Sequence, residues 1–103
     1  MRIEYNSIGF IEWEYRDHKT VEITNLVVNP NLRRHGIGKQ LMEEALLKFE
    51  TDEIHYVYVF SEADNDGAHQ FYLAQNFKLC GELTGFYKFD DAVIFGRLVR
   101  APA

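Results

Sequence analysis

The stretch Arg33-Arg34-His35-Gly36-Ile37-Gly38-Lys39 sets basic side chains around two closely spaced glycines. It follows the apolar run Leu26-Val27-Val28 and opens an amphipathic segment. A glycine-rich loop that starts a helix leaves backbone N–H groups without intrahelical partners, and the helix dipole adds positive potential there. That combination suits an anion, most often a phosphate or pyrophosphate. Gly36 and Gly38 let the backbone approach a ligand closely because no Cβ intervenes. Arg33, Arg34 or Lys39 would add charge-assisted hydrogen bonds. The plainer alternative is a polar turn that starts a helix. Two familiar phosphate motifs do not fit. A Walker loop, G-x-x-x-x-G-K-[S/T], would need glycine at Arg33 and Ser or Thr at Gln40; a dinucleotide fingerprint, G-x-G-x-x-G, would need glycine at Leu41.

A second segment of interest is Asn65 to Phe77, N-D-G-A-H-Q-F-Y-L-A-Q-N-F. Ala68, Phe71 and Tyr72 fall on one face of a short helix, and the first two read as core. Tyr72 differs in its hydroxyl, which a buried tyrosine ordinarily pairs. His18, His35, His55 and His69 show no ligand spacing with one another or with Cys80, so no metal site is expected. Cys80, the single cysteine, sits in F-K-L-C-G and reads as a small buried residue rather than a nucleophile.

The elements that must carry these residues follow from periodicity. Ile8 to Tyr15 alternates, with Ile11, Trp13 and Tyr15 on one face and Glu12 and Glu14 on the other. Arg16 to Lys19 is a polar turn, and Thr20 to Val28 a second strand that forms an antiparallel hairpin with the first. Gly36 to Phe49 has helical spacing of Ile37, Leu41, Ala45, Leu46 and Phe49. His55 to Phe60 reads as a strand buried on both faces. Gly67 to Gln75 is a shorter helix capped by Asn65 or Asp64. Lys78 to Gly81 begins a strand, Leu83 to Asp91 has no clear assignment, and Ala92 to Arg100 is the last strand. The order is β-β-α-β-α-β-β. Strand–helix–strand at its centre implies a right-handed crossover and a parallel pair. The fold class is therefore α/β (α+β): a single domain over residues 1–103, with a mixed, mostly antiparallel sheet, a central parallel pair and packed helices.

Composition narrows the function. The chain has 103 residues, a 47% hydrophobic fraction and a net charge of −5. That suits one compact core and argues against a nucleic-acid partner, which calls for a basic face. There is no signal peptide and no apolar run long enough to span a bilayer. A cytoplasmic protein with no membrane partner is the default. An acidic protein with one basic loop suits a small anionic ligand at that loop and an amine-bearing partner elsewhere.

Taken together, R33-x-x-G36-x-G38 after a strand ending L-V-V, followed by N65-x-x-A68-x-x-F71-Y72-x-x-x-N76-F77, resembles the GNAT superfamily of N-acetyltransferases. The likeness extends from about Ile8 to Arg100. It implies acetyl-CoA as co-substrate, without a metal, and direct transfer of the acetyl group to a primary amine of a small molecule or a protein. By the same resemblance, the backbone of Arg33, Arg34, His35, Gly36, Ile37, Gly38 and Lys39 would bind the pyrophosphate. The backbone of Leu26, Val27 and Val28 would meet the pantetheine and the acetyl carbonyl, and Asn65 would contact the pantetheine arm. Tyr72 would be the general acid that protonates the departing thiolate. Backbone N–H groups would stabilise the oxyanion formed when the amine attacks. Glu22 is the first choice of general base: family members carry a basic glutamate at its distance before the loop, and alternation puts it on the side of Thr24, Leu26 and Val28. Glu62, Ser61 and a water chain are the alternatives.

Two departures stand out. Asn76 replaces the glycine usual before Phe77, a mild change, since asparagine tolerates the left-handed conformation that ends a helix. Only Met1 to Ser7 precede Ile8, where the family usually has a strand and two helices that wall the acceptor pocket. An open acceptor side, a wall from a second subunit in a homodimer, or lost catalysis is expected. Trp13, Tyr15, Phe86, Tyr87 and Phe89 are candidate interface residues. The rival reading is a non-catalytic acyl-CoA-binding or protein-interaction module.

Overall fold

The computed structural model describes residues 1–32 and 35–100. Six strands lie in the order β1-β2-β3-β4-β6-β5, a mixed sheet with one parallel pair and two helices. The chain divides into two compact units, Met1–Val57 with the stretch from Leu98, and Tyr58–Arg97.

Unit 1 carries β1 (Arg2–Glu4), β2 (Gly9–Tyr15), β3 (Thr20–Val28), a 3-10 turn (Pro30–Leu32) and helix α1 (Ile37–Thr51). The β2–β3 hairpin follows the predicted alternation, and the bounds of β3 coincide with it. Sequence reading missed β1, which pairs antiparallel with β2 through Arg2–Glu12, Ile3–Ile11 and Glu4–Phe10. Three residues are too few to display a period. Helix α1 buries Leu41, Met42, Ala45 and Phe49, and the hairpin buries Ile11, Trp13, Val21 and Ile23. Trp13 meets Phe49 edge to face, centroids 5.2 Å apart. Burying a side chain of this size contributes about 1.5–3 kcal/mol. Trp13 is 2% exposed, so it is a core residue and not the interface aromatic expected from sequence. Gly9 faces the end of β3, where a Cβ would lie 2.6 Å from the Val27 carbonyl oxygen.

Strand β3 contains a β-bulge. Glu12 pairs with Asn25 while its neighbour Trp13 pairs with Ile23, leaving Thr24 without an opposite residue. The extra residue shifts the pleat by half a period. Directly paired residues share a face, so Leu26 and Val28, opposite Ile11 and Gly9, join Ile23 and Val21. Glu22, opposite Glu14, shares the other face with Asn25, whose amide donates to Glu12 at 3.0 Å. The strict alternation that put Glu22 beside Leu26 and Val28 is thereby corrected.

Unit 2 carries β4 (Tyr56–Glu62), whose first residues belong to unit 1, then α2 (Asp66–Ala74), β5 (Lys78–Tyr87) and β6 (Asp90–Leu98). Strand β4 alternates instead of being buried on both faces: Val57, Val59 and Ser61 are buried, while Tyr56, Tyr58 and Phe60 are half-buried. Strand β5 continues through the segment that sequence left unassigned. It pairs antiparallel with β6, with irregularities after Leu79 and after Leu83, and a two-residue turn, Lys88-Phe89, follows. Nearly every residue of β5 is exposed, so no burial period marks it. Cys80 is among the exposed residues, which overturns its reading as buried. It is the bulged residue between Leu79 and Gly81 on the edge strand, with its Sγ 3.2 Å from the Lys78 carbonyl oxygen.

Candidate active site

The start of α1 has the properties the glycine loop implies. Gly36 occupies the N-cap position with φ 77°, a left-handed conformation that costs a side-chain-bearing residue about 1–2 kcal/mol. A Cβ there would meet nothing within 4 Å among the described residues. Among the described residues no side chain caps this end, and the first turn holds no acidic residue. The positive end of the helix is therefore not neutralised by its own sequence, which is what an anion requires. His35 is exposed and Ile37 and Gly38 are half-buried. The Lys39 ammonium lies along the helix, 4.0 Å from Glu43. Arg33 and Arg34 lie outside the described residues. Leu26 and Val28 are half-buried and Val27 is 45% exposed.

Glu22 is held by Arg16, whose Nε and Nη2 both donate to Oε1, at 2.9 and 2.7 Å. Its side chain is only 17% exposed. The carboxylate is thus committed to a guanidinium and sits on the face opposite Leu26 and Val28.

In unit 2, Asn65 caps α2 as expected, its Oδ1 accepting from the Ala68 N–H at 3.1 Å. Beyond the C-cap Gln75 the chain turns at Asn76, with φ 67°, and Arg97 donates from Nη1 to the Gln75 carbonyl at 2.8 Å. A cation on a terminal carbonyl satisfies the helix end and complements its dipole. These two ends fix Tyr72. Its ring, 8% exposed, packs against Phe77 and Phe95, each with its centroid 5.7 Å away. Burial pushes the phenol up to about 12, and the nearby Tyr87 phenol adds to the rise. Among the described residues none hydrogen-bonds its hydroxyl. A buried phenol that stays protonated and keeps its O–H free is a donor in waiting.

Carboxylates also gather in unit 2, where oxygens of Glu62, Asp64 and Asp90 lie within 4.8 Å of one another. Asp90, bonded to the Asp64 carboxyl and repelling its charge, pushes Asp64 up. Backbone N–H groups of Asp64 and Asp91 hold Asp90 down. Glu62 and Asp64 are exposed, and the Asp90 carboxylate accepts from the Asp64 and Asp91 N–H groups at 3.1 and 2.8 Å. Spacing of His and Cys alone gave no sign of it. An open cavity of about 540 Å³ in unit 1, lined by Lys19, Glu50, His55 and Arg100 among others, contains none of the residues given a catalytic or coenzyme-binding role. Arg100 there is already paired with Glu50 at 2.7 Å.

The acetyltransferase (GNAT) family model matches residues 2–77, and the chain belongs to that family. No curated protein matches it significantly. Among solved structures, it resembles Ard1 from Thermoplasma volcanium with a TM-score of 0.87 and 26% identity, covering 91% of this chain and 64% of that one. A GNAT family acetyltransferase from Elizabethkingia anophelis with acetyl-CoA bound gives a TM-score of 0.85 and 21% identity over 92% of this chain and 72% of that one. The ribosomal-protein-S18-alanine N-acetyltransferase from Escherichia coli gives 0.82 and 19%, over 93% and 64%. The chain therefore spans 64% of the length of both the Ard1 and the Escherichia coli structures.

Proposed function

We propose that this chain is an acetyl-CoA-dependent N-acetyltransferase acting on a primary amine of a small molecule or a protein. The observation that carries the reading is the start of α1, uncapped and free of acidic side chains among the described residues. Backbone N–H groups from Arg33 to Lys39 would hold the pyrophosphate, and Leu26, Val27, Val28 and Asn65 the pantetheine arm. Acetyl-CoA supplies an activated thioester: a C–N bond forms as the C–S bond breaks, the amine gives up a proton and the sulfur takes one. Tyr72 would serve the departing sulfur, the role the family resemblance gives it. A phenol near 12 is a weak acid beside a thiol of ordinary pKa about 8.5. Its main service is to hydrogen-bond the developing thiolate; any proton it gives to the sulfur is replaced by the one the amine releases. Glu22 would serve as base only after leaving Arg16.

A Gly38→Glu variant tests the cradle. It puts a carboxylate in the first turn of α1, and coenzyme A binding measured by calorimetry should weaken about 100-fold or more while circular dichroism stays native. Undiminished binding would remove the cradle assignment.

The Arg16–Glu22 pair favours one alternative, an acyl-CoA-binding or protein-interaction module without turnover. Tyr72 separates the two readings. We assign a second copy of the chain as partner to the exposed apolar side chains of β5 and its turn, Leu79, Leu83, Phe86 and Phe89. Light scattering decides whether a homodimer forms. A cytoplasmic setting accompanies the reading, and cell fractionation checks it. Among the described residues no helix is long and apolar enough to cross a membrane.

A further inference from the structure

We propose that His69 is a positioning residue that holds the Tyr72 phenol and the Asn65 cap in place by tying the first turn of α2 to the last carbonyl of β4. The proposal rests on the role given to Tyr72 above.

Four observations within unit 2 carry it. His69 Nε2 lies 2.9 Å from the Glu62 carbonyl oxygen. A carbonyl only accepts, so Nε2 bears the proton. The same oxygen accepts the Asn65 N–H at 3.1 Å, and the His69 N–H donates to the Asn65 carbonyl at 3.1 Å. The chain from Glu62 to His69 is thereby closed on itself by bonds on both sides of Asn65. Finally, the His69 ring packs on Phe95 with centroids 5.2 Å apart, and Phe95 is the ring that Tyr72 also packs on.

His69 and Tyr72 stand three residues apart, which puts them on one face of α2, one turn from each other. An apolar side chain at 69 would pack on Phe95 equally well, but only a donor of this reach ties the helix back to the strand. His69 is therefore a fixed strut, and Tyr72 depends on it because a shift of an ångström at a reacting group costs about 100-fold.

Two variants test this in the full chain. His69→Leu keeps the bulk and loses the donor; His69→Gln restores an amide donor. His69→Leu should lower kcat about tenfold or more, with the larger part of the effect in kcat and the smaller in acetyl-CoA affinity through Asn65, and His69→Gln should recover most of the loss. Added to Tyr72→Phe, His69→Leu should cost little further, because a residue acting through Tyr72 has nothing left to position. An independent readout is ultraviolet titration of the phenol, with Tyr72→Phe as the blank. In His69→Leu, Tyr72 should titrate below its native midpoint as water reaches it. An unmoved titration, or a full further loss on top of Tyr72→Phe, overturns the proposal. If Tyr72→Phe leaves turnover intact while the titration in His69→Leu still moves, the role of Tyr72 fails and the strut stands.

Discussion

Unit 1 and unit 2 contribute to the proposed reaction through different parts of the chain. Unit 1 offers backbone: free N–H groups at the start of α1 and the strand before it, with side chains that are exposed, half-buried or paired elsewhere. Unit 2 offers, besides the Asn65 contact, one catalytic side chain, Tyr72, set between two capped helix ends and two phenylalanine rings. A backbone site tolerates most substitutions provided the fold beneath it persists and the glycines remain. A side-chain site fails with the loss of a single atom. The contrast separates substitutions that unfold the cradle from those that stop chemistry alone.

The largest effect should come from removing what supports the backbone site. Trp13→Ala takes away the partner of Phe49 in the core of unit 1 and should cost about 3–5 kcal/mol, read by urea denaturation. Loss of coenzyme A binding should follow unfolding and not precede it. Binding lost in a fully folded Trp13→Ala would break the contrast.

Tyr72→Phe comes next. It deletes one oxygen and should lower kcat about 100-fold, close to 3 kcal/mol of barrier, with coenzyme A affinity retained. The same variant has a consequence for stability against pH. A phenol raised to about 12 in the folded state contributes stability that is fully present below pH 10, the ordinary tyrosine value, and is lost between there and about 12. Thermal melts should show Tyr72→Phe losing less stability than the parent across that window.

The smallest effect belongs to a side chain of unit 1. Glu22→Gln removes an ion pair with Arg16, whose own side chain is 47% exposed, and should cost less than about 1 kcal/mol. Turnover should fall no more than a few-fold if Glu22 stays bound to Arg16. A 100-fold fall, with the pH–rate profile losing its acid limb, would make Glu22 the base and give unit 1 a catalytic side chain after all.

Much of this was legible in advance, for reasons that differ between the units. In unit 1, one side of each strand is buried, so Ile11, Trp13, Val21 and Ile23 mark the core face by alternation. The glycines and cations of the loop mark the start of α1. Thr24 left no trace, because a bulge is set by backbone pairing and any small residue can occupy it. In unit 2, the N-cap at Asn65, the buried Tyr72 and the left-handed Asn76 were readable from residue type. Strand β5 was not, because an edge strand open on both faces has no burial period, and Lys88-Phe89 bears none of the residues that announce a turn. In the sequence His69 suggests nothing but a metal ligand; its bond to a main-chain oxygen depends on where two elements end, which no spacing rule states.

The bulge at Thr24 also alters how variation in this strand should be interpreted. Up to Glu22 the solvent-facing positions are the even ones; from Asn25 onward they are the odd ones. Homologues compared with this chain should accept polar replacements at 20 and 22, then at 25 and 27. A relative lacking the extra residue, aligned without a gap, would seem to have exchanged its inside for its outside over the four residues that lead into the loop.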